Sequence, residues 1–254
     1  MECDDAIDVA ARMLLGARHA VALTGAGVSV ASGVPDFRSA GGLWERFEPA
    51  EYATIDAFTA DPDRVWDMFR AAYDIMATAR PNAGHQALAS LEREGALRGV
   101  VTQNIDGLHR RAGNRVVVEY HGSLRDLVCV GCGYRTPARR RRIGGGPGAP
   151  RCRCGNALKP DAVLFGEMIP LAAVDAALRL AKTADLLLVI GTSATVSPAS
   201  ELPLVARAGG ARVVEFNVGP TLLTAHASDL LVAGPAEETL PQVVEALGIL
   251  RAAC

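Results

Sequence analysis

Residues 19–38 read HAVALTGAGVSVASGVPDFR, and the first half of this stretch decides the fold. An apolar run, His19–Thr24, leads directly into the glycine turn Gly25-Ala26-Gly27-Val28-Ser29. A buried strand followed by such a turn is typical of the first unit of a dinucleotide-binding sheet, where glycine lets backbone N–H groups approach a pyrophosphate. Val30 stands where the usual fingerprint has its third glycine, so a plain strand-to-helix turn is an equal alternative at this point.

The alternation of strands and helices continues along the chain. Apolar runs rich in Val, Leu and Ile are hydrophobic on both faces, which favours buried parallel strands. The further predicted strands are Arg98–Thr102, Val116–Tyr120, Asp185–Ile190, Arg212–Phe216 and Asp229–Val232. The predicted helices are Asp5–Leu15, Ala83–Glu94, Leu171–Lys182, Ser200–Ala208 and Ala236–Leu247, the last of them capped by Gly248. This order predicts an α/β fold, with a doubly wound parallel sheet built from right-handed βαβ units.

Composition limits the classes of function. The chain has 254 residues, half of them hydrophobic, and a net charge of −2, which suits one large domain or one domain with a small insert. The weakly acidic balance argues against non-specific binding to nucleic acid or to an anionic membrane. The longest apolar run, Leu186–Ile190, is far shorter than the roughly 20 residues that span a bilayer. The acidic N-terminus does not resemble a signal peptide, so the sequence predicts a cytoplasmic location.

Two stretches interrupt the alternation. Residues 38–80 form a predicted helical insert, in which a helix begins at Asp61-Pro62, an N-cap followed by proline at the first helical position. Residues 123–165 hold four cysteines, the run Arg139–Arg142 and a glycine-rich loop. We therefore expect a discontinuous large domain and a small domain that comprises both inserts. The segments of the large domain are 1–37, 81–122 and 166–254.

The four cysteines have the spacing of a metal site. Cys129-x-x-Cys132 is followed, after 19 residues, by Cys152-x-Cys154. In an intracellular protein such a cluster favours a metal over disulfides. Four thiolates around one zinc make a closed structural site with no open position for catalysis. The second pair is one residue shorter than usual and needs a tighter turn, and unligated structural thiols are the alternative.

Polar segments follow most of the predicted strands, at the edge where open α/β sheets bind ligands. These segments are Gly33–Arg38, which continues the loop after the first strand, and Thr102–His109, His121-Gly122, Gly191–Ser193 and Asn217. A lone histidine is more often structural, but the strand-end position of His121 makes a functional role an equal alternative. The other histidines have no such context: His19, His85 and His226 are interpreted as structural, and His109 is expected to order its loop.

Taken together, these motifs resemble the sirtuin family of NAD-dependent protein lysine deacylases. The matching elements, in order, are GAGVS, GVPDFR, PNAGH, TQNIDGLH, HG, the four cysteines, KPDAVLFGE, GTSATVSPA and the late Asn217. They extend from residue 25 to about residue 236. The resemblance implies a Rossmann-like domain with a small zinc-ribbon module and a helical insert, and a cleft between the two domains as the active site.

The resemblance also implies roles for individual residues. His121 is the expected general base, and Asn104 the other catalytic residue. The implied NAD-binding residues are Gly25, Ala26, Gly27, Ser29, Asp36, Phe37, Arg38, Trp44, Gln103, Asn104, Ile105, Asp106, Gly191, Thr192, Ser193, Asn217 and Ala236. The implied acyl-lysine site is Val163, Phe165, Gly166 and Val196, with the substrate backbone added between the two segments as an extended strand. Lys159 stands where arginine is commoner in the family, and the charge is kept.

The chemistry of such a reaction agrees with these roles. Breaking the nicotinamide–ribose bond of NAD builds positive charge on the sugar, and the acyl oxygen captures it from the opposite face. His121 would then take a proton from a ribose hydroxyl, and a positioned base of this kind contributes about 10²–10⁴-fold. Phe37 would exclude water and so limit simple hydrolysis of NAD. The expected products are nicotinamide, O-acetyl-ADP-ribose and the deacylated lysine.

Three other functions stay open at the level of sequence. Mono-ADP-ribosyl transfer to protein is the nearest, because it belongs to the same family. A nicotinamide-dependent oxidoreductase would need an acidic residue about 20 positions after the glycines, on a second strand; Glu45 and Glu48 are near that spacing, but on no predicted strand. A zinc ribbon could bind nucleic acid through Arg139–Arg142. The acidic balance and the lack of interleaved aromatic residues argue against this last function, so the run is interpreted as a solvated face.

The helical insert predicts the acyl preference. Sirtuins that prefer succinyl or malonyl groups carry a Tyr-x-x-Arg pair just ahead of the PNAGH-like segment, and here the pair falls on Phe69 and Ala72. Without a hydroxyl and a guanidinium, no bidentate clamp for an acyl carboxylate can form. An unpaired carboxylate in an apolar tunnel is costly. The sequence therefore predicts a deacetylase with little desuccinylase activity.

Overall fold

A six-stranded parallel sheet forms the centre of the large domain. The computed structural model describes residues 3–35, 43–144, 146 and 148–253. The strands run in the order β3-β2-β1-β7-β8-β9, and every neighbouring pair is parallel. All six predicted strands are present, with ends that differ by at most one residue. Their bounds are β1 Ala20–Thr24, β2 Gly99–Thr102, β3 Val117–Glu119, β7 Leu186–Ile190, β8 Arg212–Asn217 and β9 Leu230–Ala233.

Helices cover both faces of this sheet because its strands are apolar on both sides. Val21 and Leu23 face one hydrophobic cluster, and Ala20 and Ala22 face the other. The long helices are α1 Cys3–Gly16, α6 Ala83–Arg93 and α12 Ala236–Ala252 on one face, and α9 Leu171–Thr183 and α10 Leu202–Ala208 on the other. Two short helices, α7 Leu108–Ala112 and α11 Leu222–His226, follow β2 and β8.

Two predicted helix boundaries are wrong. The final helix does not stop at Gly248 but continues to Ala252, since Leu247 and Leu250 both pack on the core and hold the helix through the glycine. The helix predicted over Ser200–Ala208 begins later, at Leu202, after a 3₁₀ turn. Pro203 suits this start, because its missing N–H falls in the first turn of the helix, where backbone amides have no partner within the helix.

The small domain consists of a three-stranded antiparallel sheet and a group of helices. Its strands, in the order β5-β4-β6, are β4 Gly122–Cys129, β5 Arg135–Pro137 and β6 Leu158–Ala162. Its helices are α2 Leu43–Arg46, α3 Pro49–Tyr52, α4 Ile55–Ala60, α5 Pro62–Thr78 and α8 Arg140–Ile143. As predicted, α5 begins after Asp61, whose carboxylate accepts from Arg64 N at 3.0 Å. The sequence predicted none of the three strands.

A shared core joins the two inserts. Trp66 on α5 is fully buried, and its indole Nε1 donates to Leu158 O on β6 at 2.8 Å. Phe58 and Phe69 pack around it, with Leu127 of β4 in the same cluster. Residues about 100 positions apart in the chain therefore form one hydrophobic cluster. Within the described ranges, no helix is long and apolar enough to cross a membrane.

The strand order explains where a site can form. From β1 the chain goes to β2 on one side, and later returns to place β7 on the other side. The loops after β1 and β7 therefore leave the sheet in opposite directions and open a crevice at the carboxyl edge. Ligands of open α/β sheets bind at such a switch point.

Candidate active site and metal centre

The glycine turn after β1 packs directly against the loop after β7. Gly25 N donates to Ile190 O at 3.0 Å, and Gly27 N donates to Gly191 O at 2.8 Å. A Cβ at Gly25 would lie 2.6 Å from Thr192 Cβ, and one at Gly27 would lie 2.7 Å from Gly191 Cα. Gly191 itself has a φ of +56°. Only glycine fits these positions, because any side chain would clash with the facing loop. The loop after β1 and the loop after β7 can therefore lie in contact at the crevice. A 3₁₀ helix, Ala26–Ser32, follows the turn.

Thr192 connects three of the strand-end loops. Gln103 Nε2, after β2, donates to Thr192 Oγ1 at 3.0 Å. Asn217 Nδ2, at the end of β8, donates to Thr192 O at 3.1 Å. The predicted residues from both halves of the sheet therefore converge at one point. Ser193 is exposed next to them, and its hydroxyl lies 2.9 Å from Thr195 Oγ1.

A buried polar network joins the loop after β2 to the glycine turn. Asn104 Nδ2 donates to Gly25 O at 3.0 Å and to Ser29 Oγ at 3.1 Å. Ser29 Oγ donates to Asp106 Oδ2 at 2.8 Å, and Leu108 N donates to Asp106 Oδ1 at 2.8 Å. Burial raises the pKa of Asp106, and these hydrogen bonds oppose the shift. The network fixes both amide and carboxylate at the crevice.

His121 lies just after β3, and among the described residues only one of its two ring nitrogens has a hydrogen-bond partner. Its Nδ1 lies 3.1 Å from Gln103 O. A carbonyl only accepts, so Nδ1 carries the proton and Nε2 is left as the basic atom. Burial lowers the pKa of His121, and the bond to Gln103 opposes the shift. The imidazole is therefore neutral near pH 7 and suited to accept a proton.

Two further histidines belong to the same polar region. His85 Nε2 lies 3.4 Å from Ser29 Oγ, and His109 Nε2 lies 2.9 Å from Thr24 Oγ1. Burial lowers the pKa of His85 to about 4 and that of His109 to about 3, so both are neutral. From the sequence His85 is interpreted as structural, because no predicted strand precedes it. The overlooked signal is the capping box of α6, in which Asn82 and His85 fix the start of the helix beside the glycine turn.

The predicted acyl-lysine segment lies beside His121. Val163 N, just after β6, donates to His121 O at 2.9 Å. Phe165 N donates to Ala53 O at 2.9 Å, and Phe165 O accepts from Ile55 N at 3.0 Å. The segment thus bridges the end of β3 and the helical insert, and the Phe165 side chain is 53 % exposed.

The remaining predicted site residues are more scattered. Ile105 is half-buried, and its carbonyl accepts from Leu124 N at 3.1 Å. Ala236 begins α12, and its carbonyl oxygen is 3.1 Å from a Cβ built on Gly84. Val196 lies in the connection between β7 and α10. Asp36, Phe37 and Arg38 lie outside the described residues, as does the side chain of Trp44.

Four cysteine sulfurs come together at the far end of β4. The Sγ atoms of Cys129, Cys132, Cys152 and Cys154 all lie within 4.8 Å of one another. The shortest pairs are Cys129–Cys154 at 3.4 Å and Cys132–Cys152 at 3.7 Å. Zinc–sulfur bonds of about 2.3 Å in a tetrahedron place sulfurs about 3.8 Å apart, so the four thiols fit zinc and are too far apart for disulfides. In the part of the chain that the structure describes, no other group of three or more such side chains converges.

The short second pair reaches the metal through a tight turn. Cys152 N donates to Asn156 O at 2.8 Å, and Gly155 N donates to Cys152 O at 2.9 Å. Gly155 has a φ of +88°, which favours glycine. Asn156 Nδ2 also lies 3.5 Å from Cys154 Sγ. The single residue between the two cysteines is therefore compatible with one four-thiolate site.

Comparisons with known proteins agree on one family. The sequence profile of the Sir2 family matches residues 25–198. An NAD-dependent protein deacylase of Pyrobaculum aerophilum is 49 % identical over 238 residues, covering 92 % of this chain and 93 % of the relative. A solved Sir2 homologue in complex with NAD is 41 % identical with a TM-score of 0.87, and the match covers 94 % of this chain and 93 % of that one. The structure of Sir2Af2 bound to a myristoylated histone peptide is 37 % identical, with a TM-score of 0.82 over 98 % and 99 % of the two chains.

Proposed function

This chain belongs to the Sir2 family, and we propose that it is an NAD-dependent protein lysine deacylase, chiefly a deacetylase, with His121 as its general base. The observation that carries this role is the free Nε2 of a neutral imidazole at the crevice, next to the segment that begins at Val163. The products are nicotinamide, O-acetyl-ADP-ribose and the deacylated lysine. A cytoplasmic location is part of the proposal, because four clustered thiols require a reducing compartment.

The residues that converge on Thr192 are proposed to bind NAD. The glycine turn offers close backbone approach to the pyrophosphate, and the Asn104–Ser29–Asp106 network supplies a fixed amide and a carboxylate for the ribose. Loops after β7 and β8 would hold the adenosine half. The proposed set is Gly25, Ala26, Gly27, Ser29, Asp36, Phe37, Arg38, Trp44, Gln103, Asn104, Ile105, Asp106, Gly191, Thr192, Ser193, Asn217 and Ala236.

His121 would act after the nicotinamide–ribose bond of bound NAD has broken, with nicotinamide as the leaving group and the acyl oxygen bonded to the ribose carbon in its place. Its Nε2 accepts the proton of a ribose hydroxyl, while Gln103 O holds Nδ1–H and so fixes the ring and the tautomer. Asn104 is proposed as the second catalytic residue, because its amide is fixed by Gly25 and Ser29 and cannot turn away. The chain's contribution is thus a base and an amide that are oriented before substrate binds.

The acyl-lysine peptide is proposed to bind as an extended strand between the segment after β6 and the loop after β7. Val163, Phe165, Gly166 and Val196 are the proposed contacts. On α5, Phe69 is 3 % and Ala72 is 5 % exposed, and both are apolar. Arg70, between them, is engaged by the carbonyl oxygens of Gly146 and Gly148. This arrangement favours acetyl and longer apolar acyl groups over succinyl.

The cysteine site is proposed to hold one structural zinc that joins β4 to the loop before β6. Four thiolates leave no open position, so this metal takes no part in the reaction. We also propose that residues 1–37, 81–122 and 166–254 form the NAD-binding domain, and that 38–80 and 123–165 form the small domain.

Product analysis tests the function. The purified protein is incubated with NAD and an acetyl-lysine peptide, and the products are identified by mass. Nicotinamide, O-acetyl-ADP-ribose and deacetylated peptide are expected in equal amounts. Reduced NAD, detected by its near-ultraviolet absorbance, would indicate an oxidoreductase instead. A protein that gains the mass of ADP-ribose while the peptide stays acetylated would indicate an ADP-ribosyltransferase.

A further inference from the structure

A cavity on the small domain is lined by arginines that the proposed reaction does not use. Its volume is about 470 Å³, and its lining includes Arg141, Arg142, Arg151 and Arg153 together with Tyr134. Arg141 and Arg142 come from the short helix α8, and Arg151 and Arg153 come from the turn that carries the second cysteine pair. We call this the arginine cavity.

The positive charge of the arginine cavity is largely unpaired. Among the described residues, no carboxylate pairs with Arg141, Arg142 or Arg153. Arg151 has Asp63 at 3.0 Å, but both side chains are about half exposed, so this pair is weak. A zinc with four thiolates adds two negative charges nearby, which offset only part of the cluster. Guanidinium groups stay protonated at any ordinary pH, so an anion is the natural ligand.

We propose that the arginine cavity binds the phosphate backbone of a nucleic acid without reading its sequence, because this local cluster of arginines outweighs the weakly acidic balance of the whole chain. Duplex DNA carries one negative charge per roughly 1.7 Å of its axis, so several guanidinium groups meet several phosphates in one pose. An acidic protein segment would have to order several flexible side chains for the same contact. Tyr134 is the one aromatic side chain among the lining residues, which leaves little surface for stacking bases. Contacts to the backbone alone position a protein without selecting a sequence.

The arginine cavity is remote from the proposed catalytic base. Strand β4 begins at Gly122, directly after His121, and ends at Cys129 of the metal site. At about 3.3 Å per residue, this strand separates the two places by about 20 Å. Nucleic acid at the cavity would leave the crevice open. Because the proposed substrate is a protein, the site would bring the enzyme to proteins that are themselves bound to nucleic acid; this last step rests on the proposed function.

Binding is measured on the full-length, zinc-loaded protein by fluorescence anisotropy of a labelled 20-base-pair DNA duplex between 50 and 200 mM salt. Binding that weakens steeply with salt is expected. The variant Arg141→Gln/Arg142→Gln removes two phosphate contacts and lowers the magnitude of the salt slope by about 1.8. Its affinity is therefore expected to fall roughly 200-fold at 50 mM salt and roughly 20-fold at 200 mM salt.

The matched control is Arg179→Gln/Arg212→Gln, which neutralises two exposed arginines of the large domain. It should bind DNA like the parent protein, and both double variants should keep one zinc per chain and full deacetylation of a free peptide. Absence of binding at 50 mM salt would overturn the proposal, as would equal weakening in the two variants. Competition by poly-glutamate as strong as that by unlabelled duplex would assign the cavity to acidic protein segments. If the parent protein had no deacetylase activity, the proposed function would be wrong. The DNA-binding measurement would still test the arginine cavity.

Discussion

Lys159 is expected to stabilise the segment that lies beside His121, and the substitution Lys159→Met tests this. The lysine side chain is only 4 % exposed. Its Nζ donates to Ala162 O at 2.7 Å, to Pro160 O at 3.1 Å and to Glu167 Oε2 at 3.1 Å. Glu167 Oε2 also accepts from Leu164 N at 3.0 Å. The three hydrogen bonds of the ammonium group therefore hold the segment from residue 159 to residue 167 in its folded conformation.

The expected loss of stability follows from this geometry. Removing one partner of a buried ion pair costs about 3–5 kcal/mol, because the other charge is left without compensation. The Glu167 side chain is 28 % exposed, so water replaces part of the lost partner and the lower end of the range applies. Methionine nearly matches the length of the lysine chain and leaves little cavity. We expect Lys159→Met to lower the free energy of unfolding by about 3 kcal/mol, and Lys159→Arg to lower it less because the charge is kept.

Urea unfolding, followed by tryptophan fluorescence, measures this loss in the small domain, because both tryptophans of the chain, Trp44 and Trp66, lie within residues 38–80. The chain has two lysines, and the other, Lys182, is exposed in the last turn of α9. Lys182→Met is therefore the matched control and should change the stability by less than about 0.5 kcal/mol. The KM for the acyl peptide should rise in Lys159→Met more than the KM for NAD. If the two methionine variants are equally stable, the ion pair contributes nothing measurable and the reasoning is wrong.

Four further predictions concern the crevice and the cysteine site. His121→Ala should lower turnover by about 10²-fold or more while NAD and peptide still bind, and a variant that keeps a tenth of the activity excludes the general base. Because burial lowers the pKa of His121, the acid limb of kcat/KM should have an apparent pKa below the ordinary 6.5; a limb above that value contradicts the assignment. Cys154→Ser should give poorly soluble protein with less than one zinc per chain, since such sites contribute about 10–16 kcal/mol in small peptides, whereas a folded, active, metal-free variant refutes the four-thiolate site. Matched peptides should show a higher kcat/KM for acetyl-lysine than for succinyl-lysine, and equal values would mean that a cation lines the acyl site.

The central sheet could be predicted because its signal is local. Each of its strands is a short apolar run that is hydrophobic on both faces, and turns of glycine and polar residues separate these runs. The strands of the small domain lack such a signal. In β4 the buried Leu127 and Cys129 alternate with partly exposed residues, and Lys159 and Pro160 stand in β6 where a sequence pattern indicates a loop. Their pairing depends on a core formed with α5, which is distant in the sequence.

The same distinction applies to the site. Residues that follow a predicted strand, such as Asn104 and His121, could be placed at the sheet edge from the sequence. His85 could not, because it reaches Ser29 only through the packing of α6 against the first turn. The helix boundary at Gly248 was missed for a similar reason. Tertiary packing on both sides of the glycine outweighs its low helix propensity, which is about 1 kcal/mol less favourable than that of alanine.

Gly122 links the proposed zinc site to the proposed general base, His121. It has a φ of +73°, and a Cβ at this position would lie 2.0 Å from Asp161 O. Only glycine therefore lets β4 start against β6 directly after His121, and this close pairing also brings Val163 N to His121 O. The other end of β4 is Cys129, one of the four clustered cysteines. With zinc at the proposed site, β4 and β6 would be held at one end by the metal and at the other by this glycine contact, so loss of zinc should loosen the segment beside His121 even though none of the four cysteines belongs to it.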